Sequence, residues 1–465
     1  MKTIYDTGKR TSELLQDLKQ LVEIPSVRDE RTAGASAPFG KEIRNAMDVF
    51  LQIAQREGFS VHDFDGYAVD ARLGEGDDYI GVLAHLDVVE AGERSHWHGD
   101  PFQMQEIDGM LYGRGVNDDK GPLLAALYAM ARIRQEGRTL YHPIRLIAGG
   151  AEETTWECME HYFKHNPQPI FGFSPDGNFP IVNGEKGILQ VRFLLNADSD
   201  ISLHCKERLH IVCDDLQVIV PKGSDVSFVE RTNLIEVMQD GIKITYRGVR
   251  ALSRNPQRGD NAIFKFVKDF HGHLDQAGSL YPMVNMIYEN FLDDFYGKKS
   301  GLYHEDAAMG CGSVCLMSLN TQDGQLELCV DVRYVRSTDE QSLLHTLRKT
   351  AQHYGCELEV LRHKRLLYVA EDSTLIQSLK TAYHRVMKED AAVFTKGGAS
   401  YARVLEHGVA FGATFPDEDP RPHMPNECMP VKSLLKASDI YYEAHCGTGM
   451  YKKVMKNYHN NNELP

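Results

Sequence analysis

Two short apolar runs with a helical stretch between them constrain this chain more than any other feature. The runs are YIGVLAHLDV, Tyr79 to Val88, and PIRLIAG, Pro143 to Gly149, and the helical pattern PLLAALYAMARI lies between them. Strand, helix, strand in that order predicts an α/β layer with a buried sheet. Pro122 suits the first turn of the middle helix, where a missing N–H costs nothing. Upstream, Leu14, Leu15, Leu18, Leu21 and Val22 recur at helical spacing after the candidate caps Thr11 and Ser12. Pro25 ends that run, so an amphipathic helix is expected there.

Past Asn183 the texture changes. Strand-like runs such as ILQVRFLL, LHIVCDDLQVIV and LELCVDVRY alternate with helical patterns at Asn261 to Phe270 and Gln341 to His353. That is α+β texture. Helical pattern resumes in TLIQSLKTAYHRVM, and a closing helix is expected at Leu434 to Ala444. The reading is a discontinuous α/β domain, residues 1–186 and 367–465, interrupted by an α+β domain at 187–366. The polar tail KKVMKNYHNNNELP is expected to fray.

The chain has 465 residues, 42% of them apolar and 25% charged, which excludes wholesale disorder and leaves ample length for a large core. Its 51 basic and 66 acidic residues give a net charge of −15. That balance repels phosphate backbones and anionic lipid, so neither nucleic acid nor a membrane surface is an expected partner. Nine scattered cysteines, no apolar leader at the start and no run of 18 apolar residues predict a cytoplasmic protein with reduced thiols. Cys311 and Cys315 are a close pair without a second Cys/His pair beside them, which is weak support for structural zinc.

Several acids and histidines fall at the ends of these elements. His85 and Asp87 stand two apart at the end of the first apolar strand, so their side chains leave the same face. The loop Gly113-Arg114-Gly115-Val116-Asn117-Asp118-Asp119-Lys120-Gly121 carries two carboxylates just before a helix, where acids also serve as ordinary caps. Gly149-Gly150-Ala151-Glu152-Glu153 ends the next strand. Phe173-Ser174-Pro175-Asp176-Gly177 puts an acid in a turn, a common position for Asp. Pro422-His423-Met424-Pro425-Asn426-Glu427 adds a late histidine. Each is weak alone. Together they supply the mixed imidazole and carboxylate set that zinc or a related divalent ion takes in hydrolytic sites. Five ligands can hold two ions if one carboxylate bridges, and a further carboxylate is then needed as base.

The order HLDVV, GRGVNDDKGP, EE, SPDG, PHMPNE resembles the dinuclear zinc peptidases that include peptidase V, carnosinase, aminoacylase and succinyl-diaminopimelate desuccinylase, with spacing most like the peptidase V branch. The resemblance implies a catalytic α/β domain, its mixed sheet flanked by helices, with the inserted block as a lid domain. It implies two zinc ions, with manganese or cobalt as alternatives. His85 and Asp176 would hold one, Glu153 and His423 the other, and Asp118 would bridge. Glu152 matches the general base and Asp87 the acid supporting His85. The Asp118–Asp119 bond is usually cis in that family.

The inserted block matches the lid motif of the family in its glycines, Pro256 and Asn261-Ala262, but departs from it at one position. Leu252 stands where the family has a histidine that donates to the oxyanion, and leucine donates nothing. Val218 stands where peptidase V relatives have asparagine. His204 and His210, nearby, read as ordinary strand residues. Arg333 matches the arginine for the substrate carboxylate, a role a guanidinium fork suits. The loop Lys396-Gly397-Gly398-Ala399 resembles the glycine loop near the substrate's C-terminal end, with Gly398 as a contact; Lys396 and Ala399 depart from its usual sequence.

The expected activity is metal-dependent hydrolysis of the amide bond in dipeptides or similar small amino-acid derivatives. The alternatives are a metal-binding relative with weak or lost turnover that acts as a binding or regulatory protein, and a hydrolase of N-acyl amino acids. A long lid resembling the form that completes its site within one chain favours a monomer over a homodimer.

Overall fold

The computed structural model describes residues 8–196, 199–206 and 210–446. The tail segment 452–465 lies outside them. The chain forms two compact units, Met1–Gly184 with Leu367–Phe394 and Ala399–Pro465, and Glu185–Leu366 with Thr395–Gly398.

The first unit is built on a mixed sheet whose strands run in the order Ser60–Phe64, Ala68–Leu73, Ile144–Gly149, Ile80–His85, Phe171–Ser174, Gly408–Ala410, Ile181–Glu185 and Leu367–Tyr368. Ile80–His85 lies parallel between Ile144–Gly149 and Phe171–Ser174. Every residue of Ile80–His85 and Ile144–Gly149 is buried, as strands covered on both faces must be. Helix Lys120–Gln135 is buried at thirteen of its sixteen residues, which explains its nearly unbroken apolar sequence. It packs against Val431–Cys446 and Gly8–Val22. Lys120, itself buried, donates to the carbonyls of Leu21 and Ile24, both at 2.8 Å, and so ties the end of the first helix to the loop before its own.

The second unit holds two four-stranded sheets. Both are wholly antiparallel, and one runs in the order Ser313–Gln322, Gln325–Tyr334, Gly187–Asn196, Glu357–Lys364. The other runs Ser202–His204, Asp215–Pro221, Gly241–Arg247, Leu234–Val237. Helices Ala262–Phe270, Tyr281–Asn290 and Glu340–His353 contribute to the same apolar core as both sheets. Asn261 caps the first of these by accepting from the Ile263 N–H at 3.0 Å, while its amide donates to Leu316 O at 2.8 Å.

One expected run is broken. Among the described residues of LHIVCDDLQVIV, the strand Asp215–Pro221 takes up only the second half of the run. His210 sits in a turn at φ 63°, a left-handed conformation that ends extended structure, and Ile211 makes a single bridge to Leu252.

Candidate metal centre

The three parallel strands at the middle of the first unit's sheet end side by side, and each delivers an acid or histidine just past its last hydrogen bond. Ile80–His85 supplies His85 and Asp87, Ile144–Gly149 leads to Glu152 and Glu153, and Phe171–Ser174 leads to Asp176. Carboxyl ends of adjacent parallel strands are where open α/β sheets bind ligands. Asp118 enters from the loop before helix Lys120–Gln135, through a cis bond to Asp119. That loop is tight: a Cβ on Gly121 would lie 2.1 Å from the Val116 carbonyl oxygen, so only glycine fits there. His423 arrives from the loop before Cys428–Pro430, and its side chain is 55% exposed, making it the open side of the cluster.

Among the described residues, two groups of ligand atoms lie within 4.8 Å of one another: His85, Asp118 and Asp176, and Asp118, Glu153 and His423. Asp118 belongs to both. Its Oδ1 is 3.0 Å from His85 Nε2 and its Oδ2 is 3.1 Å from His423 Nε2. His423 Nε2 is also 3.0 Å from Glu153 Oε2, and His85 Nε2 is 4.0 Å from Asp176 Oδ2.

The tautomer of His85 shows what the cluster is suited to. Its Nδ1 is 2.9 Å from the backbone carbonyl of Asp87, which only accepts, so Nδ1 carries the hydrogen. In the neutral ring Nε2 then offers a lone pair, and that lone pair points at a carboxylate. Two acceptors facing each other need a cation between them. A proton or a divalent ion satisfies this equally, and a histidine oriented by its other nitrogen is the usual ligand arrangement.

Charges follow the same logic. Burial works against a charged His423, but the carboxylates of Asp118 and Glu153 prevail and raise it to about 11. Burial likewise opposes charge on His85, and Asp118 and Asp87 drive its pKa well up. Glu153 is raised to about 7 by burial and then by the charge on Asp118. Burial pushes Asp118 up, yet the two imidazoles outweigh it and hold it far below the usual carboxylate range. The donor set fits divalent cations, which would take the place of these protons.

The carboxylate of Asp87 does something other than expected. It stands 3.6 Å from His85 Nδ1, too long for a hydrogen bond, and instead accepts the backbone N–H groups of Glu152 at 3.1 Å and Glu153 at 3.0 Å. It therefore fixes the Glu pair, while its backbone carbonyl fixes His85.

Glu427 and Arg114, both quoted in the sequence motifs but given no role, complete the scaffold. Buried Glu427 accepts from the backbone N–H groups of Gly115, Asn117 and Asp118 at 3.0, 3.0 and 3.1 Å and from Arg114 Nη1 at 2.7 Å. A buried acid directly after PHMPN was the available signal.

The remaining residues belong to the second unit. Arg333 is buried on strand Gln325–Tyr334, with Nε 2.6 Å and Nη2 3.0 Å from Asp331 and Nη1 3.0 Å from the Gly397 carbonyl beside Gly398. His210 is not a strand residue. Its Nδ1 lies 3.0 Å from Arg333 Nη2 and its Nε2 3.1 Å from Arg362 Nη1. Leu252 is exposed. Val218 faces Ile244 and Leu203 across neighbouring strands and is fully buried, so an asparagine there would meet apolar neighbours.

Comparison with known proteins agrees with this chemistry. The profile of peptidase family M20/M25/M40 matches residues 81–445. "Putative dipeptidase YtjP" of Bacillus subtilis (strain 168) is 31% identical over 458 residues, covering 94% of this chain and 97% of its own. Human carnosine dipeptidase 1 shares the fold at 16% identity, with a TM-score of 0.56 over 96% of this chain and 98% of its own. Dipeptidase Dug1p of Saccharomyces cerevisiae does so at 13% identity, with a TM-score of 0.58 over 94% and 96%. The chain belongs to peptidase family M20/M25/M40.

Proposed function

We propose that this metal-dependent hydrolase cleaves the amide bond of dipeptides, with two divalent ions held by His85 and Asp176 and by Glu153 and His423, and with Asp118 shared between them. The observation that carries the reading is Asp118 itself, each of whose oxygens faces a different imidazole Nε2. Zinc suits this mixed nitrogen and oxygen set, and manganese or cobalt would also be accommodated. When bound, such ions supply Lewis acidity that lowers the pKa of water and polarises the scissile carbonyl.

The chain's own residues do the rest. Glu152 takes a proton from the attacking water and returns it to the departing amine. Its backbone is held at both ends, the N–H by Asp87 and the carbonyl by Trp156 Nε1 at 2.5 Å. Glu152 is thus presented as base while the adjacent Glu153 turns to His423. The naming of the Bacillus subtilis relative as a dipeptidase supports the substrate class. All nine cysteines are free thiols, which supports a cytoplasmic setting. No helix among the described residues is long and apolar enough to cross a membrane.

The test is Glu152→Gln. Dipeptide turnover should fall by about 10²–10⁴-fold, the usual worth of a positioned general base, with bound metal unchanged. Equal turnover, or loss of metal together with activity, would contradict the assignment.

A further inference from the structure

Two of the nine thiols come together inside the second unit, where its two sheets meet. Cys205 follows strand Ser202–His204 and Cys213 precedes Asp215–Pro221, so the pair stands at the base of the connection between two neighbouring strands. Ser313–Gln322 is the outer strand of the other sheet, and its outward N–H and carbonyl groups need partners from elsewhere. The cysteine segments supply several of them. Cys213 N–H donates to Leu316 O at 3.5 Å, and the Cys205 sulfur accepts the Leu319 N–H at 3.2 Å. Cys205 N–H donates to the side chain of Asn320 at 2.7 Å. Leu316 and Leu319, three positions apart on one strand edge, thus hold both cysteines, and both pack into the same apolar core. There the Cys213 thiol hydrogen-bonds with Cys205.

The two sulfurs differ in access. Cys213 is 4% exposed, whereas Cys205 is half-buried and lines an open cavity of about 540 Å³ together with Arg192, His204, Asn320 and Glu327. A small oxidant entering that cavity meets Cys205 first. The contact with Cys205, and then burial, raise the pKa of Cys213 well above that of an ordinary thiol, so Cys213 keeps its proton and stands by as the second sulfur. We propose that Cys205 and Cys213 form a modification site at which hydrogen peroxide closes an intramolecular disulfide, Cys205 being oxidised first and Cys213 resolving it. The Cys205 thiolate attacks one peroxide oxygen, the O–O bond breaks, and the departing hydroxide leaves as water, giving a sulfenic acid. The Cys213 sulfur then attacks the Cys205 sulfur: an S–S bond forms, the S–O bond breaks, and the hydroxyl leaves as water with the Cys213 proton. Two thiols are oxidised to one disulfide and one peroxide is reduced to two waters. A reversible bond of this kind is compatible with a reducing compartment, where disulfides are transient. The connection it closes carries His210, whose ring lies 3.0 Å from Arg333 Nη2 and 3.1 Å from Arg362 Nη1.

The experiment treats the zinc-loaded full-length protein with hydrogen peroxide, then quenches, denatures, alkylates and maps it by mass spectrometry. The expected product is a cross-linked Cys205–Cys213 peptide pair, two hydrogens lighter than the reduced peptides and restored by dithiothreitol. It should form about tenfold or more faster than oxidation at any of the seven other cysteines. Cys213→Ser should stop the reaction at a Cys205 sulfenic acid that dimedone captures, and Cys205→Ser should leave Cys213 reduced. Cys205 and Cys213 that stay alkylatable while other cysteines oxidise would overturn the proposal. So would a disulfide from Cys205 to a different cysteine, or oxidation of Cys213 in Cys205→Ser as fast as in the wild type. The wild-type map decides the pairing by itself if either variant does not fold.

Discussion

Asp87 illustrates how much of a metal site is made by atoms that touch no metal. One residue fixes the tautomer of His85 through its backbone and the position of Glu152 and Glu153 through its carboxylate. In Asp87→Asn one oxygen is replaced by an NH₂ group, so one of the two buried N–H groups loses its acceptor. Activity at saturating metal should drop roughly 10–100-fold, with weaker metal binding, as for other groups that orient ligands. Parallel measurement of kcat and of metal affinity checks this, and an unchanged pair of values would exclude the role. At this scale the sequence pattern showed that His85, Asp87, Glu152 and Glu153 sit at strand ends. It did not show which atom of Asp87 meets which neighbour, because that depends on backbone direction past the strand. Val218 shows the reverse case: its motif position suggested an altered lid contact, whereas alternation along Asp215–Pro221 points it into the core.

Among the elements, the glycine-rich loop before Lys120–Gln135 is held from far along the chain. Glu427 gathers three of its N–H groups and the guanidinium of Arg114, all in a site closed to water. Glu427→Gln would leave Arg114 buried without a counter-charge. Such changes destabilise by about 3–5 kcal/mol, and denaturant unfolding should show it alongside weakened metal binding at Asp118. A variant as stable as the wild type would mean that Arg114 finds another partner. Strands Ile80–His85 and Ile144–Gly149 were legible because both faces are buried and the runs are continuously apolar. Helices such as Thr374–Met387 were legible from their period. The bond between Glu427 and the loop was not, since no local periodicity reports a contact over 300 residues apart. The break at His210 is not written in the sequence, because a single positive-φ residue leaves no mark on hydrophobic pattern.

For the molecule as a whole, two groups tie stability to its surroundings. His445 is buried beside Phe173, has neither ring nitrogen hydrogen-bonded among the described residues, and has its pKa lowered by burial to about 4. The unfolded chain binds this proton near pH 6.5 and the folded chain near pH 4, so stability is full above about pH 6.5 and declines as pH falls towards 4. The decline amounts to about 3 kcal/mol from this group. His445→Phe should flatten the stability curve in that window, and an unaltered slope would exclude His445 as its source. The metal cluster is the second group, and it carries the account's central claim. Anomalous diffraction from crystals of the zinc-loaded protein should give two peaks, each about 2.0–2.2 Å from a different oxygen of Asp118. One should also contact His85 and Asp176, the other Glu153 and His423. A single peak, or two peaks that do not share Asp118, would contradict the account.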